Sequence, residues 1–264
     1  MSGGHVPPIF VSHGTPSLAV DPVRGAELAQ WGRDLGRPRA VLVVSAHWQT
    51  ATLSRGSTAA RPTLLRDFDD QGPLEDRADL ERVTYDAPGA PALAYELHSL
   101  LNVERVSDRG WDSGAWTPLV HLVPAADVPV LQLSLVLGAT PRALFAIGRK
   151  LGVLAARGVL LLGSGGVTHA VADMDPRPDA PPAAAARAFD AWVANVLADA
   201  ALDELLQWRA HGPHAREAHP AGSAHLDPLF VIAGAASLYD HAVGFPIRGF
   251  DHGTLSRRCI QFGR

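Results

Sequence analysis

Strand-length apolar runs that alternate with helix-length patterns constrain this 264-residue chain more than any other feature. The runs are Pro8 to Ser12, Ala40 to Ala46, Val103 to Val106, Val128 to Leu135 and Gly158 to Leu162. The first intervening segment opens at Asp21-Pro22, a capping side chain before a proline at the first helical position, and Gly36 stops it after Leu35. Pro91 to Leu101 and Pro141 to Ala156 begin with proline in the same way. Ala183 to Arg209 reads as one long helix or as two broken near Ala201, Asp227 to Ser237 as a last apolar helix, and the tail from Phe245 onward as a further strand. This order predicts βαβ units, hence an α/β fold with a central, largely parallel or mixed sheet flanked by helices. The length suits one domain over residues 1–264, able to bury roughly three quarters of the surface that the unfolded chain exposes. The stretch Pro176 to Pro182 is read as a surface loop rather than an interdomain linker, because neither side of it carries a complete core.

Three of the runs lead into a histidine: Ile9 to Ser12 into His13, Val41 to Ala46 into His47, and Val159 to Gly163, through Ser164-Gly165-Gly166, toward His169. Ligands of open α/β sheets bind in the crevice outside the carboxyl ends of the strands, so imidazoles delivered there independently predict one shared metal site. His225, just ahead of the last helix, joins them. Neutral imidazole suits zinc, iron, copper or nickel, and a catalytic site needs about three protein ligands and an open position. One histidine at a strand end is more often a hydrogen-bonded structural residue; the agreement of several argues for a metal. His5, His98, His121, His241 and His252 lack that setting, while His211, His214 and His219 lie in a polar run readable as a histidine-rich tract or a loop.

Composition narrows the function classes. With 23 basic and 27 acidic residues the net charge is -4, and no basic patch points to nucleic acid. A single cysteine, Cys259, excludes an internal disulfide and a thiolate zinc cluster, which makes a reducing compartment the expectation. No basic segment followed by an apolar stretch opens the chain, and no run of ~18 apolar residues occurs, so a soluble, cytoplasmic protein without membrane contact is expected, monomeric or a small homo-oligomer.

Ser12-His13-Gly14-Thr15-Pro16, Val44-Ser45-Ala46-His47-Trp48, Tyr85-Asp86-Ala87-Pro88-Gly89, Trp116-Thr117-Pro118-Leu119, Gly163-Ser164-Gly165 with His169, and His219-Pro220 with His225 occur in order over nearly the whole chain. Together they resemble the 4,5-DOPA extradiol dioxygenase-like family, a branch of the class III, LigB-type ring-cleavage dioxygenases. The resemblance implies a non-haem enzyme that uses Fe(II), with Zn(II) able to occupy the same site, to open a small aromatic diol beside its two hydroxyls with both atoms of O2. Carried over by position, His13, His47 and His225 correspond to metal ligands, His169 to a fourth ligand or the acid/base, and His219 to a substrate contact or proton relay. Trp48 and Trp116 are candidates to stack on an aromatic ring, against the plainer reading as core aromatics. Family members commonly read Asp-His-Gly where this chain has Asp112-Ser113-Gly114, and His-Asp-Phe where it has Arg66-Asp67-Phe68. Ser113 and Arg66 therefore enter as candidate substrate contacts, with Arg66 suited to a carboxylate or to a plain surface role. A zinc-dependent hydrolase and a catalytically altered metal-binding homologue use the same histidines and stand as the alternatives; nothing in the chain resembles the His-Glu-x-x-His helix of zinc proteases.

Overall fold

The computed structural model describes residues 5–68, 76–105, 109–239 and 242–263. Ten strands are present among them: β1 (Ile9–Ser12), β2 (Ala40–Thr50), β3 (Ser54–Arg55), β4 (Glu104–Arg105), β5 (Val130–Val136), β6 (Val159–Gly165), β7 (Val243–Gly244), β8 (Phe250–Asp251), β9 (Leu255–Ser256) and β10 (Ile260–Phe262). The helices are α1 (Pro22–Leu35), α2 (Arg77–Leu80), α3 (Pro91–Leu101), α4 (Ser113–Leu122), α5 (Pro141–Leu151), α6 (Ala184–Ala198), α7 (Leu202–Leu206), α8 (Trp208–His211), α9 (Ala215–Ala218) and α10 (Asp227–Ala236).

One eight-stranded sheet runs in the order β4-β3-β5-β2-β6-β1-β10-β7, and β8 pairs with β9 apart from it. Its centre, β5-β2-β6-β1, is parallel; β3 joins β5 and β10 joins β1 in the antiparallel sense, so the sheet is mixed. Burial on both faces explains why the central runs are apolar throughout. Val41 and Val43 join a core that contains Leu28 and Trp31 of α1 and Trp116 and Leu119 of α4. Leu42 and Val44 join the opposite core with Leu93 of α3, Leu144 of α5 and Phe230 of α10.

Local chemistry sets the helix starts. Asp21 caps α1 by accepting from the amides of Val23 and Arg24, and Thr140 caps α5 by accepting from Ala143. The expected bounds of α1 and α3 agree with the structure. The helix expected to reach Ala156 instead ends at Leu151 and tightens into a 3-10 turn over Gly152–Arg157. The alanine-rich stretch breaks after Ala198, where Ala200 takes a positive φ of 53°. Of the strand expected at Val103 to Val106, β4 covers Glu104–Arg105, and Val106 lies outside the described residues, as does His241.

Two departures from the expected elements shape the histidine cluster. The strand expected to stop at Ala46, β2, continues to Thr50 through a wide bulge. Val44 pairs with Leu133 and Gln49 with Leu135, so Ser45, Ala46, His47 and Trp48 together face a single residue, Ser134. An insertion of this kind bends a strand and re-aims its side chains. The second departure is α4, for which the only helix signal in the residues is the capping Asp112. Its Ser113-Gly114 start and internal Pro118 have poor helix propensity, yet almost the whole helix is buried and Asp112 caps it through the Ala115 amide. Tertiary burial outweighs propensity here.

Candidate metal centre

His13 directly follows β1, and its amide still donates to the Gly165 carbonyl of β6 at 2.9 Å. The bulge of β2 turns His47 toward it. His225 precedes α10, and its carbonyl accepts the Gly166 amide at 2.8 Å. That approach requires glycine at 165, because a Cβ there would stand 2.1 Å from the His225 oxygen. The three rings form a near-equilateral triangle, with centroid separations of 5.0, 5.4 and 5.4 Å and interplanar angles of 80°, 74° and 74°. One ligand atom from each lies within 4.8 Å of the other two.

Hydrogen bonds fix which nitrogens face inward. The Ser164 hydroxyl spends its proton on the Gly114 carbonyl, so toward His13 Nδ1, 2.9 Å away, it acts as acceptor. His13 therefore carries its proton on Nδ1 and keeps a lone pair on Nε2. His47 Nδ1 donates to the Asp67 carboxylate at 3.0 Å. The Nε2 atoms of His13, His47 and His225 are all buried without a partner. Such atoms are rare in folded proteins and costly unless something satisfies them. A cation held by these three nitrogens does so, and the donor set, three imidazole nitrogens, suits zinc or iron.

The electrostatics keep two of the three donors neutral and act the other way on the third. Burial, followed by the neighbouring imidazoles, holds His13 and His225 well below the usual histidine range. Burial is also the largest influence on His47, pulling it down, but the Asp67 hydrogen bond and the charges of Asp112 and Asp67 together raise it. Gly114 of α4 makes room for the rings: a Cβ there would meet the Ser45 hydroxyl at 2.4 Å and ring carbons of His13 and His47 at 3.2 Å each.

The family of the catalytic LigB subunit of aromatic ring-opening dioxygenase matches residues 3–254. The chain belongs to the LigB family. Its relatives include proteins named 4,5-DOPA dioxygenase extradiol from Beta vulgaris, 36% identical over 239 residues (86% of this chain and 85% of that one), and from Escherichia coli K12, 32% identical over 272 residues (100% and 97%). An uncharacterized protein of Escherichia coli K12 shares the fold with a TM-score of 0.81 at 29% identity, over 98% of this chain and 100% of that one. With the family comes the reaction class: the LigB chain is an extradiol ring-cleaving dioxygenase. No helix among its described residues is long and apolar enough to cross a membrane.

The remaining candidates of this LigB chain fall at varied distances from the triangle. His169 stacks on His225, rings parallel within 8° and centroids 3.3 Å apart, with its own Nε2 buried and unpartnered, but it lies outside the group of three. Burial, then the charges of His219 and His47, hold it down to about 4. His219 donates from Nε2 to the Val167 carbonyl at 2.8 Å and packs edge-on against Phe189 and Trp208; burial holds it down to about 4 as well. The two are linked through the backbone, since the His169 amide donates to the Ala218 carbonyl.

Ser113 sits beside His47, with Oγ 3.1 Å from Nδ1. Trp48 is buried, and the Arg109 guanidinium covers its ring at 4.6 Å. Trp116 is fully buried and donates to the Leu65 carbonyl. The Arg66 guanidinium donates to the Leu80 and Val83 carbonyls at 2.9 and 2.6 Å, around the end of α2. Sequence reasoning missed Asp67, Ser164 and Gly114. Each lies inside a motif already singled out, but nothing local says what a carboxylate, a hydroxyl or a missing Cβ will meet across the sheet.

Proposed function

We propose that this protein opens a catechol-type ring beside its two hydroxyls with O2, using Fe(II) held by His13, His47 and His225, and that residues 1–264 form one catalytic unit. The observation that carries the reading is the convergence of three imidazoles, each from a different loop or bulge, with one ligand atom of each within 4.8 Å of the others and all three Nε2 atoms buried and unpartnered. Three nitrogen ligands leave the remaining positions open, and bound Fe(II) there supplies a place where both reactants are held and electrons pass between them. His169 serves as the acid/base: in its neutral form Nε2 accepts a proton from a substrate hydroxyl and returns it later, and the stack on His225 holds it next to the ligands. His219 commits its Nε2 proton to Val167, which leaves Nδ1 as an acceptor for a substrate hydroxyl or for proton relay. The names of the Beta vulgaris and Escherichia coli relatives favour DOPA-like substrates. The single cysteine, Cys259, supports a cytoplasmic, reducing setting.

The test is anaerobic Fe(II) reconstitution, then admission of air with a catechol panel that includes L-DOPA and protocatechuate. O2 uptake with a yellow ring-opened semialdehyde is expected; no uptake with any catechol overturns the proposal.

A further inference from the structure

We infer that Asp67 and Ser113 are positioning residues that lock His47 in the tautomer with its proton on Nδ1, so that a lone pair rather than an N–H faces His13 and His225. The inference rests on the proposed metal centre and adds what holds one of its ligands.

A carboxylate only accepts hydrogen bonds, so with Asp67 Oδ2 at 3.0 Å the Nδ1 atom of His47 must carry the proton. The carboxylate is itself pinned: Oδ1 accepts the amide of Ser113, the first residue of α4, at 2.7 Å. The Ser113 hydroxyl, 3.1 Å from the same Nδ1, completes the clamp, and Ser113 is almost wholly buried. His13 is held instead by a neutral hydroxyl, that of Ser164. A carboxylate behind a ligating imidazole raises its basicity and fixes the ring, and loss of such a partner costs roughly 10–100-fold in metal affinity in comparable sites. This gives Ser113 a role toward His47 in place of the substrate contact expected from its position.

Asp67→Asn is the informative variant. Asparagine has one acceptor oxygen for two donors, the backbone amide of Ser113 and His47 Nδ1–H. If the oxygen stays on the fixed amide, the NH2 group faces Nδ1 and drives the proton to Nε2, the atom needed for ligation. Two measurements read this: competition titration of the metal-free protein with Zn(II), and long-range 1H–15N NMR of the metal-free protein at about pH 8.5, which distinguishes the histidine tautomers. The parent is expected to show His47 as Nδ1–H and to bind one Zn(II). Asp67→Asn is expected to show Nε2–H and affinity roughly 10–100-fold weaker. Ser113→Ala should keep Nδ1–H and lose about three- to tenfold, the worth of one neutral hydrogen bond.

An Nε2–H tautomer at His47 in the parent overturns the inference without any variant, so a failure of Asp67→Asn to fold leaves the test intact. Zn(II) affinity of Asp67→Asn within about threefold of the parent overturns it while the metal centre stands. A parent that binds no Zn(II) brings down the metal centre and this inference together.

Discussion

At the scale of single residues, the histidines separate by what each ring nitrogen touches. His13 and His47 have Nδ1 committed to Ser164 and Asp67, and together with His225 they turn buried, unpartnered Nε2 atoms toward one another. Alanine at any of the three should abolish stoichiometric metal, whereas His252→Ala, on a ring that bonds the Asp175 carbonyl, should retain it; metal analysis of the purified variants decides. His169→Ala belongs to the other class. Because His169 stacks behind His225 rather than completing the triangle, the variant should keep its metal and lose rate by about 100-fold or more, read from O2 uptake against metal content. Loss of metal instead makes His169 a fourth ligand.

At the scale of elements, the site depends on how closely helices and strands approach. The start of α4 comes so close to β1 and β2 that alanine at 114 places a methyl 2.4 Å from the Ser45 hydroxyl, which itself accepts the His47 amide at 3.2 Å. Gly114→Ala should therefore weaken Zn(II) binding by about tenfold, through displaced ligands, as a competition titration reports. α5 and α10 show the same device away from the site. A Cβ on Gly148 would stand 1.9 Å from the Val231 carbonyl, and one on Gly234 would stand 2.1 Å from that of Phe145. Backbone cannot yield as a side-chain tip does, so Gly148→Ala should cost about 1–3 kcal/mol in urea unfolding, with Zn(II) affinity unchanged.

At the scale of the whole molecule, buried neutral imidazoles tie stability to pH. An unfolded chain's histidines ionise near 6.5, whereas in the folded metal-free protein burial holds His169 and His219 down to about 4 and His13 and His225 well below 6.5. Between about 6.5 and 4 the unfolded state binds more protons, so stability is full above that window and falls as pH drops through it. Asp227, pushed up to about 6 by burial, acts in the opposite sense, as do Asp251, raised by burial, and His47, raised against its burial by its Asp67 partner, but the four lowered imidazoles outnumber these three. The urea midpoint of the metal-free protein should be lower at about pH 5 than at about pH 7.5, and His219→Gln should flatten the difference. Metal adds to the native state by mass action: Zn(II) at about 1,000 times its dissociation constant should contribute about 4 kcal/mol, removed by chelation and absent in His13→Ala.

The range over which each interaction acts decides how much of this is legible in the chain. Proline and aspartate at helix starts, glycine at helix ends and apolar run length are local, and from them come α1, α3, the central strands and the α/β class. Histidines at run ends are local too, and His13 and His47 do converge, with His225 as the third. Local signals do not reveal that β2 runs on through a bulge, that a proline-containing segment folds as α4, or that Arg66 closes α2 while Asp67 beside it reaches His47. Those outcomes depend on partners 20, 66 and 151 residues away: Asp67 for His47, Ser113 for His47 and Ser164 for His13. The residues themselves determined that histidines able to bind a metal end their runs at one end of the sheet; only the packing of α4 against β2 and β6 decided which nitrogen of His13 and of His47 carries the proton, because tautomers are set by neighbours brought together in space.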